Sequence, residues 1–307
     1  MSHTPEVETV VTPWQEPVFR TLAPQLMFGR TYEDSAIELK AFAPGSRVFC
    51  IAGAGCTARI LGAAGHLVTA VDIHPEQVAY ARSRALGEPE RVGAAERLLS
   101  YARKFFGLVG WTERRRCEFL QLNDPIVQIA YWDRFLDSRR LRAAMSTFLS
   151  RSILQRVYNR PFVDSLPRNF AACIHARMRR CWARHPNESN PYAWNIFSGE
   201  RQIVPDPPLS SIQFVCADAA SYLESCGPAS FEAFSLSNIL DGAPAAYAER
   251  LHHAVRHAAV PGAVVVSRSL AEPAPVMKSN WAERDRSFLW GIVNVTCIGD
   301  LSSCGTC

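Results

Sequence analysis

The stretch VFCIAGAGCTARILGAAGHLVTAVDIHPEQVAYARSR, residues 48–84, constrains the fold more than any other part of the chain. Val48–Ala52 is a short apolar run entering Gly-Ala-Gly, which predicts a buried strand and a tight turn. Cys56 to Ala64 has helical character, with Gly65 as its C-cap. His66–Asp72 predicts a second buried strand, and Pro75 to Ala85 a helix with proline in its first turn. A strand–helix–strand unit of this kind calls for parallel strands with helices covering both faces of a sheet.

The same alternation returns near the C-terminus. Ile212–Cys216, Phe231–Leu236 and Val264–Arg268 (after a Pro261-Gly262 turn) predict strands, and the apolar block Ser287–Cys297 supplies closing ones. Between the two halves the pattern turns helical, over Glu96–Phe106, Arg139–Tyr158 and Phe170–Arg184, with Asn159–Phe162 breaking the run. A further helix is predicted over Tyr32–Phe42. The expected organisation is a leader or lid at 1–45, an α/β domain built from 46–87 and 212–297, a basic helical cap and acceptor region at 88–211, and a tail at 298–307. Ligands of open α/β sheets sit at the carboxyl ends of the strands, so the inserted helices are expected to close over that site.

Composition narrows the class. Among 307 residues, 48% are hydrophobic and 20% charged, the balance of a globular chain rather than a disordered one. No apolar run reaches the roughly 18 residues needed to cross a bilayer. The opening MSHTPEVETVVTPW has neither a basic nor an apolar signal region, so a cytoplasmic protein is expected. The ten scattered cysteines agree with buried thiols in a reducing compartment, and Cys304 and Cys307 read as incidental thiols of a tail. Net charge is only +4, yet residues 134–184 hold twelve arginines against two acids, Asp137 and Asp164. Such a face is either simply solvated or suited to a membrane surface or an acidic ligand. No recognised nucleic-acid motif accompanies it, and nucleic acid is not an expected partner.

Gly53 and Gly55 allow a sharp turn and close backbone approach to a ligand, and Asp72 ends the second strand where a carboxylate can take both ribose hydroxyls. GAGCTA fits the dinucleotide fingerprint, but nicotinamide and S-adenosylmethionine enzymes can share this arrangement. Two features separate them. Asp218, followed by Ala219, stands just past a strand where an acid can hold an adenine amino group. Ser237 and Asn238 end the next strand with short polar groups suited to an amino-acid moiety, and no Tyr-x-x-x-Lys pair offers a hydride-transfer relay. The residues therefore favour S-adenosylmethionine as co-substrate, with no metal. Gln77, in the helix after Asp72, joins the expected cofactor-binding set.

Seven blocks occur in the order MFGRTYEDSAIE, VFCIAGAGCTA, TAVDIHPEQVAYARSR, NPYAWNIFSGE, FSLSNILD, VVVSRSL and RDRSFLWG. In this order the chain, from about Met27 to Gly291, resembles the S-adenosylmethionine:diacylglycerol 3-amino-3-carboxypropyltransferases, which perform the first step of betaine-lipid synthesis. The resemblance implies a Rossmann-like, class I methyltransferase-type sheet with a large helical insertion. It also implies transfer of the aminocarboxypropyl arm to an acceptor hydroxyl, with release of methylthioadenosine. Ala52, Gly53, Gly55 and Cys56 match the family's glycine-rich turn, and Asp72 and Ile73 its ribose motif, with His74 in place of an asparagine. Glu33 and Asp34 match an acidic leader in which Tyr32 replaces tryptophan; these three and Tyr192 are the candidates for base or arm-holding residues. Ser237 and Asn238 match a third block, after which Asp241-Gly242 departs from the family. Arg268, Arg284 and Arg286 are candidates to hold the arm's carboxylate, with a surface role favoured for Arg284. The acceptor is expected to be diacylglycerol or a small-molecule nucleophile, with the basic cap meeting an anionic membrane surface. Ordinary methyl transfer, and cyclisation of the arm to azetidine-2-carboxylate, remain open alternatives.

Overall fold

Side chains alternate across strand β1 (Arg47–Ile51): Val48 and Cys50 face one layer of helices and Phe49 the other. In the computed structural model, which describes residues 26–199, 212–274 and 280–299, β1 lies inside a six-stranded sheet. Its other strands are β2 (Leu67–Asp72), β3 (Ile212–Cys216), β4 (Phe231–Ser235), β5 (Ala259–Ser269) and β6 (Ile292–Cys297). The order is β3-β2-β1-β4-β5-β6, parallel throughout except for the antiparallel β5–β6 edge. This mostly parallel α/β sheet is compatible with a Rossmann-like fold.

Helices α1 (Ala36–Ala41), α2 (Cys56–Ala63) and α3 (Pro75–Ala85) bury Ile37, Leu61 and Val78 against the Val48–Cys50 face. The inserted segment forms α4 (Ala94–Lys104), α5 (Glu113–Leu120), α6 (Pro125–Tyr131), α7 (Arg139–Phe148), α8 (Arg151–Val157), α9 (Arg160–Ser165), α10 (Phe170–Trp182) and α11 (Pro191–Phe197). Helices α12 (Ala219–Ser225) and α13 (Ala245–Ala258) then cover the Phe49 face through Leu223, Leu251 and Val255.

The inserted helices have an aromatic core of their own, in which Trp111, Trp132, Trp182 and Phe197 pack with Phe288 from the segment entering β6. Arg177, on α10, anchors this cap to the sheet: its guanidinium donates to the carbonyls of Leu289 at 2.6 Å and Leu270 at 2.8 Å. Gly242 provides a second anchor, with φ +75° and a backbone so close to α9 that a Cβ would stand 2.7 Å from Phe162 Cα. Asp241, beside Gly242, accepts from Ser269 Oγ, Leu270 N and Asn238 Nδ2, fixing the loop against which α9 packs.

Several expectations change. The leader helix starts at Ala36 rather than Tyr32, because residues 26–35 are irregular and Asp34 Oδ1 accepts from Ala36 N. The helix predicted over Arg139–Tyr158 is two, α7 and α8, turning at Leu149, which packs on both the aromatic core and the Leu154–Phe162 cluster. Asn159 does not break a run but starts one: its Oδ1 accepts from Phe162 N and caps α9. The tail predicted from residue 298 begins as a continuation of the β5–β6 edge, Ile298 N donating to the Ala263 carbonyl at 2.8 Å. The predicted leader residues 1–25, cap residues 200–211 and tail residues 300–307, with Cys304 and Cys307, lie outside the described residues.

Gly242→Ala should destabilise the protein by roughly 2–4 kcal/mol, combining left-handed backbone strain with overpacking. Chemical denaturation measures this, and an unchanged midpoint would refute the anchoring role.

Candidate cofactor and acceptor site

The strand order reverses between β1 and β4, which opens a crevice beyond their carboxyl ends. The glycine turn after β1 forms one wall and Ser237-Asn238, after β4, the other. From this crevice a cavity of about 600 Å³ runs up into the cap. Its lower end carries Gly53, Asp72, His74, Ser237, Asn238 and Glu33; its upper part is walled by Leu98, Phe105, Phe148, Leu154, Phe162 and Ile174. One space thus joins a polar floor to an apolar sleeve.

The floor is pre-organised by backbone donors. Gly53 N donates to Asp72 Oδ2 and His74 N to Asp72 Oδ1, each at 3.0 Å. Burial pushes the Asp72 carboxyl above its ordinary range, against those two donors. His74, also in the cavity wall, has a buried Nε2 without a hydrogen-bond partner. A buried ring nitrogen of this kind is satisfied by a ligand with polar edges, such as a nucleoside. A Cβ on Gly53 (φ +49°) would meet Thr31 Oγ1 at an ordinary 3.6 Å, whereas one on Gly55 (φ +77°) would stand tight against Ala81, 3.1 Å from its Cβ.

Residues 26–35 cross over this turn and form the third wall. Gln77 Nε2 donates to the carbonyls of Phe28 and Gly53, at 2.8 and 2.9 Å. Cys56 Sγ accepts from Thr31 N. The Glu96 carboxylate, reaching from α4, accepts from Gly29 N, Arg30 N and Tyr32 Oη. Gln77, Cys56, Ala52 and Gly55 accordingly stand behind the cavity wall and shape it, while Gly53, Asp72, Ile73, His74, Asp218, Ala219, Ser237 and Asn238 line it.

Four acids gather beneath Ser237. Arg268, with no exposed side chain, grips Glu38 through Nη1 (2.5 Å) and Nη2 (2.9 Å) and also reaches Glu33 (3.5 Å) and Asp285 (3.3 Å). Arg286 forms a two-pronged pair with Asp34, at 2.6 and 2.7 Å. Burial raises the Glu33 and Asp285 carboxyls above their usual values, with the Arg268 charge opposing in both. Burial would also raise Asp34, but hydrogen bonds and charge from Arg286 prevail and hold it low. Glu33 is the acid of this group that reaches the cavity, where its carboxylate accepts from Ser237 Oγ. Ser237 has φ +54°, a costly conformation for a residue with a side chain.

The four catalytic candidates separate on this geometry. Glu33 and Tyr32 line the cavity; Asp34 and Tyr192 do not. Tyr192 is buried and donates to the Glu33 carbonyl at 2.6 Å, so it positions that residue. Burial and the Glu96 charge raise the Tyr32 phenol far above its ordinary value, making it a hydrogen-bond donor rather than a base. Asp218, in the cavity wall, caps α12 through Ser221 N and accepts from Tyr247 Oη at 2.7 Å, bonds that fix its carboxylate as the backbone donors fix that of Asp72. The arginine fork is not in the cavity: Arg268 and Arg286 hold carboxylates, and Arg284 stacks on Trp281 at 4.1 Å. Arg30, which the sequence reading does not single out, is the arginine in the wall among the described residues, in contact with Glu90 and Asn195. Its place in MFGRTYED, two residues before Tyr32, was the available signal.

Asp34→Asn should cost about 2 kcal/mol, less than a fully buried pair because a third of the Arg286 side chain is exposed. Since Asp34 is held low in the fold, its contribution is present above the ordinary carboxylate range and fades as pH falls; the variant's stability should depend less on acid. Glu33→Gln, which relieves the crowding of carboxylates, should change stability by within about 1 kcal/mol. Denaturation series across pH measure both. In comparisons with protein-family models, curated proteins and solved structures, nothing matches this chain.

Proposed function

We propose that the protein transfers the 3-amino-3-carboxypropyl group of S-adenosylmethionine to a hydroxyl of an apolar, diacylglycerol-type acceptor, releasing methylthioadenosine. The observation that carries this reading is the single cavity that joins a nucleoside-compatible floor to an apolar sleeve. A water-soluble acceptor has little need of a sleeve walled by leucine, isoleucine and phenylalanine, whereas acyl chains gain from burial there at about 0.8 kcal/mol per methylene. The sheet is read here as methyltransferase-type, the finer form of the α/β class described above.

When bound, S-adenosylmethionine supplies a sulfonium whose attached carbons are open to displacement. The chain's own residues then divide the work. Asp72 offers its carboxylate to the ribose hydroxyls, oriented by Gly53 N and His74 N. His74 Nε2 gives the adenosine a polar contact. Asn238 and Arg30 are the groups suited to the arm's amino and carboxylate ends. Glu33 takes the acceptor's proton: burial has raised its basicity, and Ser237 Oγ fixes one oxygen. The apolar sleeve keeps water from competing with the acceptor hydroxyl.

The test is to incubate protein with S-adenosylmethionine and either diacylglycerol or soluble hydroxyl acceptors, and to identify the nucleoside released. Methylthioadenosine formed together with an aminocarboxypropyl ether of diacylglycerol is the expected result. S-Adenosylhomocysteine would replace the reading with methyl transfer, and methylthioadenosine with free azetidine-2-carboxylate would replace it with cyclisation. Glu33→Gln should lower kcat by at least about 100-fold while leaving nucleoside binding in place. In the unaltered protein the rate should rise with pH through the elevated Glu33 value, because the base works only when ionised; the acid limb should therefore lie above the usual glutamate range.

A further inference from the structure

We propose that the cavity opens onto an anionic lipid bilayer, and that the surface around its mouth is a membrane-docking face formed by the ends of α4 and α7. Tyr101 (57% exposed), Phe105 (48%), Leu108 (70%) and Phe148 (52%) are large apolar residues in water. Three of them adjoin at the cavity, which Tyr101, Phe105 and Phe148 line with the Phe105 and Phe148 rings 6.2 Å apart; Leu108 follows one turn on, its N donating to the Phe105 carbonyl at 3.0 Å. Side chains that line a cavity while half exposed stand at its opening. Apolar residues scattered singly over a surface need no explanation, but a contiguous group around the mouth of an apolar sleeve does.

Charge identifies the occupant. Arg97, Tyr101 and Phe105 recur at four-residue spacing on α4 and its C-cap, and Arg140, Ala144 and Phe148 do so on α7. Each helix therefore carries an arginine two turns from its mouth aromatic, and Lys104 lies over the Tyr101 ring at 5.0 Å. Arg97, Arg139 and Arg140 are exposed and form no ion pair among the described residues, whereas Arg142, Arg151 and Arg179 are paired with acids. Aromatic and aliphatic side chains at the mouth, with exposed cations two turns away on the same helices, match the boundary between acyl chains and anionic headgroups, where each cation adds about fivefold to binding. A protein surface would instead need acidic and apolar groups in matched register. Docked this way, an apolar acceptor passes from the bilayer into the sleeve without crossing water.

The inference rests on reading the cavity as an acceptor sleeve, but its test is binding rather than turnover. The full chain is sedimented with phosphatidylcholine vesicles with and without phosphatidylglycerol, at low and high salt, without S-adenosylmethionine. Binding to the phosphatidylglycerol vesicles at least tenfold stronger than to the neutral ones, and falling with salt, is expected. Leu108→Glu and Arg140→Glu, both outside the cavity wall, should together weaken it at least tenfold with an unchanged thermal midpoint. Equal binding to both vesicle types, no binding to either, or an unaffected double variant overturns the proposal. So does a dimer in sedimentation velocity that the double variant dissolves, because a second copy would then cover the face. Vesicle binding by a protein that releases no methylthioadenosine sinks the transferase reading and leaves this one; turnover of dispersed diacylglycerol without vesicle binding does the reverse.

Discussion

A guanidinium with no access to water, that of Arg268, ties together segments far apart in the chain. It comes from β5, holds Glu38 of α1, reaches Glu33 of the leader and Asp285 of the segment before β6, and donates to the Asp34 carbonyl at 3.1 Å. One cation among three carboxylates leaves an excess of negative charge, and the protein meets this by raising two of those carboxyls through burial. Removing the guanidinium would leave buried acids unpaired, whereas removing one acid relieves them. The Arg268 cluster thus does two things at once. It fastens the leader to the sheet, and it produces an acid of elevated basicity at the cavity floor.

The leader serves both halves of the site. Its backbone is held from below by Gln77 and Cys56 and from the cap side by Glu96, so the sheet and the inserted helices grip one segment. Tyr80, on α3, adds a bond to the Gly29 carbonyl at 2.9 Å. Those contacts give purpose to residues that a motif-based reading would place against the ligand. Cys56 and Gln77 support the wall that the ligand would touch.

Much of the fold was legible because its signals are local. The apolar run before Gly53, the proline opening α3 and the acid ending β2 each act within a few residues, and the strands and helices of residues 48–84 form almost where expected. The site was legible wherever a residue stands at a strand end: Gly53, Asp72, Ser237 and Asn238 all face the cavity. Pairings made across the fold were not. Nothing local to Arg268 announces Glu38, and nothing local to Asp34 announces Arg286, so two arginines read as candidates for the ligand, Arg268 and Arg286, are internal ties. Asp218 faces the cavity as expected, but its bond to Tyr247 is also made across the fold and is not announced locally. The break between α7 and α8 depends on where Leu149 finds two packing partners, which periodicity alone does not encode.

Two backbone approaches set how the inserted helices relate to the sheet. Phe162 lies against Gly242, and the Arg177 guanidinium lies where a Cβ on Gly291 would stand. Neither contact survives a side chain, so the cap and the sheet cannot vary independently. In evolutionary terms the insertion is not an interchangeable module: a lineage that altered α9 or α10 would have to keep glycine at positions 242 and 291. What the cavity holds is altered more easily through the side chains that line it than through the helices that carry them.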